Sequence, residues 1–377
     1  MAKNARHRIS TAALELFSQQ YYDLVSVAQI CRTAGVSNGA FYRHFRDKEE
    51  IFQYLLDDFL SRFAADLRAI DGNDAATRLM RFVEVVSGAA YRYAGQVTMF
   101  REGQYRHPEY EQRLREIYMR SAETVLARPV DEAEYLFLLS GLRFLSTRSR
   151  YHDLRIGPGV LDRLVQLLEN GVFGEDATIS LVGEPPPVPP DEYEPQDSGE
   201  ALVAAGIRCI GRDGYFAVQV ADITREAGLS VGTFYKRFES KEAFLGEVVR
   251  QIGRRTRRYL SSQAPATGNH LDREIAGMWN FLGYFRRHRE YYTIVREAEF
   301  VVPIAVKEYY DAFERGYVHG RGLAMYPEED RPVVANFLMG LSHYLGIEVL
   351  FSTRVTDVRG LVARLGGLLG HGIRSDA

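Results

Sequence analysis

Nine histidines and two cysteines are the residues of this chain best equipped for metal or bond-breaking chemistry. Their spacing supports neither. The histidines are scattered, and no HExxH pair, nucleophile elbow or phosphate loop appears. Gly320-Arg321-Gly322 is too short to cradle a phosphate. Cys31 sits between Ile30 and Arg32 with no partner cysteine or histidine nearby, and Cys209 falls on an apolar helical face. Both read as small buried hydrophobes. The expectation is therefore no enzyme, no metal and no cofactor. The side chains that recur in an ordered pattern are of another kind. Ser37, Gly39, Phe41-Tyr42, Phe45 and Lys48-Glu49 reappear as Ser230, Gly232, Phe234-Tyr235, Phe238 and Lys241-Glu242. Hydroxyls and a lysine at fixed spacing bind by hydrogen bond and charge.

The recurrence is part of a longer one. Residues 9–52 match 202–245 without a gap at an offset of 193, with 16 identities in 44 positions. A fainter echo follows. Arg101-Glu102 matches Arg296-Glu297 and Pro108 matches Pro303 at an offset of 195, and Gly141-Leu142 resembles Gly340-Leu341 at 199. This reads as a duplication of the whole unit whose second parts have diverged. Between Glu175 and Ser198 lie seven acidic residues, six of the 13 prolines and no Lys or Arg, which reads as an extended linker. An ordered proline-rich loop packed on one domain is the other reading.

Composition bounds the rest. With 377 residues the chain is too long for one ordinary core, and 46% apolar with 26% charged residues fits a globular protein. A net charge of −3 excludes a uniformly basic coat protein but not a local basic patch. Two cysteines are too few for a disulfide framework. No secretory leader is visible at the N-terminus, and the long apolar stretch Val333–Phe351 carries Asn336, His343 and Glu348, which reads as a buried helix rather than a membrane span. A cytoplasmic protein with no membrane partner is expected.

The repeated head reads as helices. Ile9, Ala12, Ala13, Leu16 and Phe17 share one helical face, as do Leu202, Ala205, Cys209 and Ile210. Ser26-Val27-Ala28-Gln29 is a capping-box pattern, and Gly35 suits a left-handed helix end. Ser37 caps a third, short helix reaching about Phe45, and Asp47 a fourth, longer one. Two short helices joined by a glycine-containing turn form a helix-turn-helix, whose second helix lies in the DNA major groove.

The runs from Val36 to Glu50 and from Leu229 to Glu242 resemble the DNA-binding head of TetR-type transcriptional regulators. The resemblance implies an all-α fold of two TetR-like units. Each unit would have a three-helix head and a helical ligand-binding and dimerisation body, with the two units paired as an intrachain pseudo-dimer. By resemblance, Tyr42, His44, Lys48, Tyr235 and Lys241 are phosphate contacts, and Arg237 stands in place of His44. Asn38, Ala40 and Arg43 face base edges or sugar-phosphate, against Val231, Thr233 and Lys236. Ser37, Ser230, Gly39 and Gly232 complete the contact surface, the glycines by allowing close approach. Asn38 offers a base hydrogen bonds where Val231 offers only apolar contact, so an operator of two unlike half-sites is expected. The sequence departs from the family at Tyr21, where Gly214 fits, and at Gln219, where Ser26 fits. Arg250, Arg254, Arg255, Arg257 and Arg258 read as a solvated helix end rather than a DNA contact.

The expected division is a first head over 1–55, a first body over 56–174, a linker over 175–198, a second head over 199–245 and a second body over 246–377. Recognition helices of such dimers lie about 34–36 Å apart, within the linker's reach. Pairing of two such chains stays open. In the bodies the repeated Arg-Glu reads first as an ion pair. The functional reading is an apolar pocket for a small-molecule effector of apolar or acyl type, with Arg101, Tyr105, Tyr118, Arg296, Phe300 and Phe313 as candidate lining. Val333–Phe351 and Leu361–Leu369 are expected to pack on helices near Tyr135–Leu145 and Val160–Leu168 in a four-helix contact. The competing reading is a helical interaction or ligand-sensing protein in which one or both heads no longer bind DNA.

Overall fold

The computed structural model describes residues 2–152, 156–179, 195–265, 267–352 and 354–373, without the side chains of 2–4, 105 and 150–152. Among the described residues every regular element is helical. The first half runs α1 (Ala2–Gln19), α2 (Val27–Ala34), α3 (Asn38–Tyr42), α4 (Lys48–Arg68), α5 (Ala75–Ser87), α6 (Ala89–Arg92), α7 (Ala94–Arg106), α8 (Pro108–Leu126), α9 (Glu132–His152) and α10 (Pro158–Asn170). The second runs α11 (Ser198–Asp213), α12 (Val220–Glu226), α13 (Val231–Arg237), α14 (Lys241–Ser262), α15 (His270–Arg287), α16 (Arg289–Val301), α17 (Pro303–His319), α18 (Arg331–Phe351) and α19 (Val358–His371). The duplication is visible in the helix starts. α2, α3 and α4 recur 193 residues on, and α5, α7 and α8 recur 195 residues on. The continuous α15 covers both α5 and α6.

Local chemistry sets the helix ends. Gln29 Oε1 accepts the Ser26 N–H at 2.7 Å while Ser26 Oγ accepts the Gln29 N–H at 3.2 Å, closing the capping box. Gly35 ends α2 at φ 62°, a left-handed conformation that glycine adopts without strain. Where the second copy has Gln219, the cap is supplied from within the helix, as Asp222 Oδ2 accepts the Gln219 N–H at 2.9 Å. The departure at Tyr21 has a local cause too. Tyr21 is extended at φ −58° and leads into a short 3-10 turn, whereas Gly214 takes φ 80°.

The chain divides into two compact units, Met1–Asp131 with Leu142–Val165, and Glu132–Gly141 with Gln166–Ala377. Unit 1 buries Ile9, Phe17, Phe41, Phe52, Phe63 and Phe82. Unit 2 buries Leu202, Phe234, Phe244, Tyr291 and Phe337. Unit 2 also takes in first-half segments. Phe137 meets Phe337 edge to face at 5.5 Å, and Glu134 Oε1 pairs with Arg364 Nη2 at 3.5 Å. The N–H groups of Val172 and Phe173 donate to Leu369 O at 2.6 and 3.0 Å. A Cβ on Gly171 would stand 2.6 Å from the Gly370 backbone, so these backbones touch only as glycines.

Of the expected linker, residues 180–194 lie outside the described residues. Residues 175–179 are not free. Glu175 Oε2 accepts the His270 and Leu271 N–H groups at 3.0 and 3.2 Å, and Asp272 Oδ1 accepts those of Thr178 and Ile179 at 2.8 and 2.9 Å. The segment therefore caps α15. α18 is long and apolar enough to span a membrane, yet 72% of that stretch is buried in the protein. Its Asn336 donates to Glu314 Oε2 at 2.9 Å and to Pro332 O at 2.8 Å.

Two substitutions test this packing. Phe337→Ala opens a cavity and should cost about 3–5 kcal/mol. Gly141→Leu drives a side chain into the Phe337 ring and should cost about 1–3 kcal/mol. Denaturant titration of the full chain measures both, and a loss below about 1 kcal/mol in each would refute the packing.

Candidate nucleic-acid interface

Each helix-turn-helix has one face buried and one bare. Phe41 and Phe234 anchor α3 and α13 in their cores at 0% exposure. The next residue in each copy points out: Tyr42 is 58% exposed and Tyr235 56%. Each phenol is braced edge-on by its buried neighbour, at 5.4 Å from Phe41 and 5.3 Å from Phe234. A large aromatic held rigidly in solvent loses little entropy on contact, and its hydroxyl suits a phosphate oxygen. Arg43 and Lys236 follow them, exposed and without an ion-pair partner among the described residues. Asn38, Gly39, Val231 and Gly232 are exposed at the helix starts. Ser37 and Ser230 are exposed caps, whose Oγ atoms accept the N–H of Ala40 at 3.2 Å and of Thr233 at 3.1 Å.

Six expected contact residues are buried or engaged within the heads. Ala40 is buried, since α3 turns this position into the core. Thr233 is half-buried, with its Oγ1 engaged by Ser230 Oγ at 2.9 Å. Arg237 pairs with Asp197 at 3.1 Å and donates to Ser198 Oγ at 3.2 Å, which ties α13 to the start of α11. His44, at the matching position, is half-buried. The remaining two are the lysine pair.

Lys48 and Lys241 do not project as free cations. Lys48 Nζ donates to Tyr22 O at 2.9 Å and lies 4.0 Å over the Tyr22 ring. Lys241 Nζ donates to Tyr215 O at 2.6 Å and lies 4.1 Å over the Tyr215 ring. Burial holds both ammonium groups below the usual lysine range. The same tyrosines are held from two further sides. Tyr22 OH donates to Glu49 at 2.7 Å, and Tyr215 OH to Glu242 at 3.2 Å. The Tyr22 N–H donates to both Glu102 oxygens, at 2.9 and 3.1 Å, and the Tyr215 N–H to Glu297 at 2.6 Å. Glu102 lies on α7 and Glu297 on α16. In both halves a body carboxylate therefore grips the turn that leads into the reading helices. The repeated Arg-Glu is the signal for this latch in the sequence, but its glutamate faces a backbone N–H.

The bodies hold the remaining candidates. Tyr118 is core, 4% exposed, with its ring edge-on to Phe63 at 5.5 Å. Arg101, Arg296 and Phe300 are half-buried. Phe313 is half-buried beneath the Arg257 guanidinium at 5.3 Å. The side chain of Tyr105 lies outside the described residues. The arginine cluster sits within α14, not at its end. Arg250 and Arg254 pair with Glu247 at 2.9 and 2.6 Å, and Arg255 reaches Tyr291 OH at 3.4 Å.

Comparison with known proteins matches these two heads. The model of bacterial regulatory proteins, tetR family, matches residues 9–55 and 202–248. The chain is 29% identical over 137 residues to the HTH-type transcriptional regulator HbdR of Aromatoleum sp. (strain CIB), covering 35% of this chain and 57% of that protein. It is 45% identical over 51 residues to the HTH-type transcriptional regulator AcrR of Shigella flexneri, covering 14% and 24%. The chain thus spans little more than half, or less, of the curated relatives it matches. Among solved structures, the fatty acid degradation regulator FadR of Bacillus halodurans matches at TM-score 0.39 and 19% identity, over 48% of this chain and 99% of that one.

The latch predicts a pH dependence. Burial pushes the Glu102 carboxyl up to about 7, with the Tyr22 N–H and Arg106 pulling it back. The fold thus favours the neutral form. Its contribution is complete below the unfolded carboxyl's pKa of about 4.3 and is lost as pH rises through about 7. Between pH 5 and 8 the chain should lose on the order of 2 kcal/mol that Glu102→Gln does not lose. Glu102→Ala strands the Tyr22 N–H and should cost about 1–3 kcal/mol at any pH. Equal pH profiles for the native chain and Glu102→Gln would rule out this origin.

Proposed function

We propose that this chain, which belongs to the TetR family of bacterial regulatory proteins, is a DNA-binding transcriptional regulator that reads one operator with two unlike heads. The observation that carries this reading is the repeated bare face: a braced, exposed tyrosine followed by an unpaired cation, Tyr42-Arg43 and Tyr235-Lys236. Phosphate contacts from these residues set register, while Asn38 and Val231 at the helix starts differ in what they ask of a base. The operator is then an imperfect palindrome. Lys48, Lys241 and Arg237 act as positioning residues, since their charges are engaged inside the heads.

A single chain acting as a pseudo-dimer is supported by the contacts of Phe137 with Phe337, Glu134 with Arg364 and Val172 with Leu369. The chain is read as a repressor that a small-molecule effector releases. An effector that binds one body conformation better than the other moves α7 or α16, and with it the tyrosine turn and the reading helix.

Selection of sites from random duplex DNA, with chain-to-DNA stoichiometry on the winner, tests this. One chain on a site of two unlike halves is expected. Asn38→Val should shift preference in one half-site only, by about 1–3 kcal/mol. Arg43→Ala and Lys236→Ala should each weaken binding across all sequences and lower the salt slope by about 1. Two chains on a perfect palindrome would reject the pseudo-dimer. No enriched site at low salt would favour the interaction-protein reading.

A further inference from the structure

The two bodies share a helix order but not an interior. Pro108 and Pro303 start α8 and α17, so positions correspond at a shift of 195. In the first body the inner face of α5 carries Leu79, Phe82 and Val86, at 3%, 0% and 1% exposure. The closely packed α8 buries Tyr118 and Ala122. The corresponding residues of the second body are Glu274, Gly277 and Phe281 on α15, with Phe313 and Tyr317 on α17. All five are half-buried, although most of α15 around them is buried. Below them Phe63 of α4 is replaced by Thr256 of α14. Phe63, Leu79 and Phe82 thus give way to Thr256, Glu274 and Gly277, while Val86 and Ala122 give way to the larger Phe281 and Tyr317.

The helix pairing differs as well. Among the described residues α15 packs on α18 and α19, and does not approach α17 as closely as α5 approaches α8. A Cβ on Gly277 would meet nothing within 4 Å. Glu274 accepts a hydrogen bond from Tyr317 OH at 2.9 Å across this gap. Among the described residues no second donor and no cation meets it. Surrounding protein desolvates it enough to push its carboxyl up to about 7. Arg257 stands at the other rim over Phe313, beside the exposed Arg254 and Arg315, where water reaches it.

We infer that the second body alone holds a binding site for an organic ammonium compound with an apolar body, between α15 and α17. The cationic nitrogen meets Glu274 with Tyr317 steadying the carboxylate, Phe281 and Phe313 flank the apolar part, and Gly277 leaves the room. Cations are held by carboxylates and by ring faces together, and a desolvated carboxylate without a cation is the group here with most to gain from one. One effector site per chain follows, because the first body is filled at the same positions. The link to DNA release rests on the reading above; the binding itself does not.

Isothermal titration of the full chain with benzyltrimethylammonium, its neutral isostere neopentylbenzene and the anion phenylacetate is the test. The cation should bind at one per chain, at least tenfold tighter than the neutral compound. Glu274→Gln should remove that margin and leave neopentylbenzene unchanged. Gly277→Phe, which installs the first body's residue, should block both; if it does not fold, Glu274→Gln decides alone. No cation binding at millimolar concentration, two equivalents per chain, a preference for phenylacetate, or no effect of Glu274→Gln would overturn the site. An operator-binding assay separates the two readings. Cation binding that leaves DNA affinity unchanged sinks effector release and keeps the site. Specific DNA binding without cation binding sinks the site and keeps the regulator.

Discussion

The peptide unit at Tyr22, and again at Tyr215, is where each head is joined to its body. Its N–H goes to a glutamate of the body, its C=O to a lysine at the start of the long helix, and its phenol to the next glutamate along. A buried N–H and C=O must find partners, and here they are a carboxyl group of the body and the lysine ammonium. The reading helix cannot turn against the body without breaking one of them. That constraint explains why a tyrosine, a lysine and two glutamates persist in both copies while the residues around them have drifted.

Duplication within one chain relaxes what identical subunits must share. In a symmetric dimer, one substitution changes both reading faces and both bodies together. Here they change separately. One helix start has Asn38 and the other Val231, one head has a paired Arg237 where the other has His44, and one body has Phe82 where the other has Gly277. The side chains lost from the face of α15 toward α17 are offset by burial of its opposite face, where Asp272, Ala276 and Trp279 are covered. That helix also gains a cap from the chain segment 175–179, whose carboxylates and N–H groups interlock with its first turn.

What the sequence determined by itself was local or periodic. Helix starts at Ser26, Ser37 and Asp47 were legible because a cap needs only a side chain and a backbone N–H three residues away. The fold class and the tandem heads were legible because a gapless repeat preserves spacing. The exposed Tyr42 and Tyr235 were legible as part of a recurring run. Tertiary structure decided where charges end. Lys48, Lys241 and Arg237 look alike as cations in a helix-turn-helix sequence, and only the fold brings Tyr22 O, Tyr215 O and Asp197 within reach of them. Glu102 looked like the partner of its neighbour Arg101 and instead serves a turn 80 residues away. The repeat shows Gly277 where the first copy has Phe82, but only the fold shows that a Cβ there meets nothing within 4 Å, because no single helix records how far away its neighbours stand.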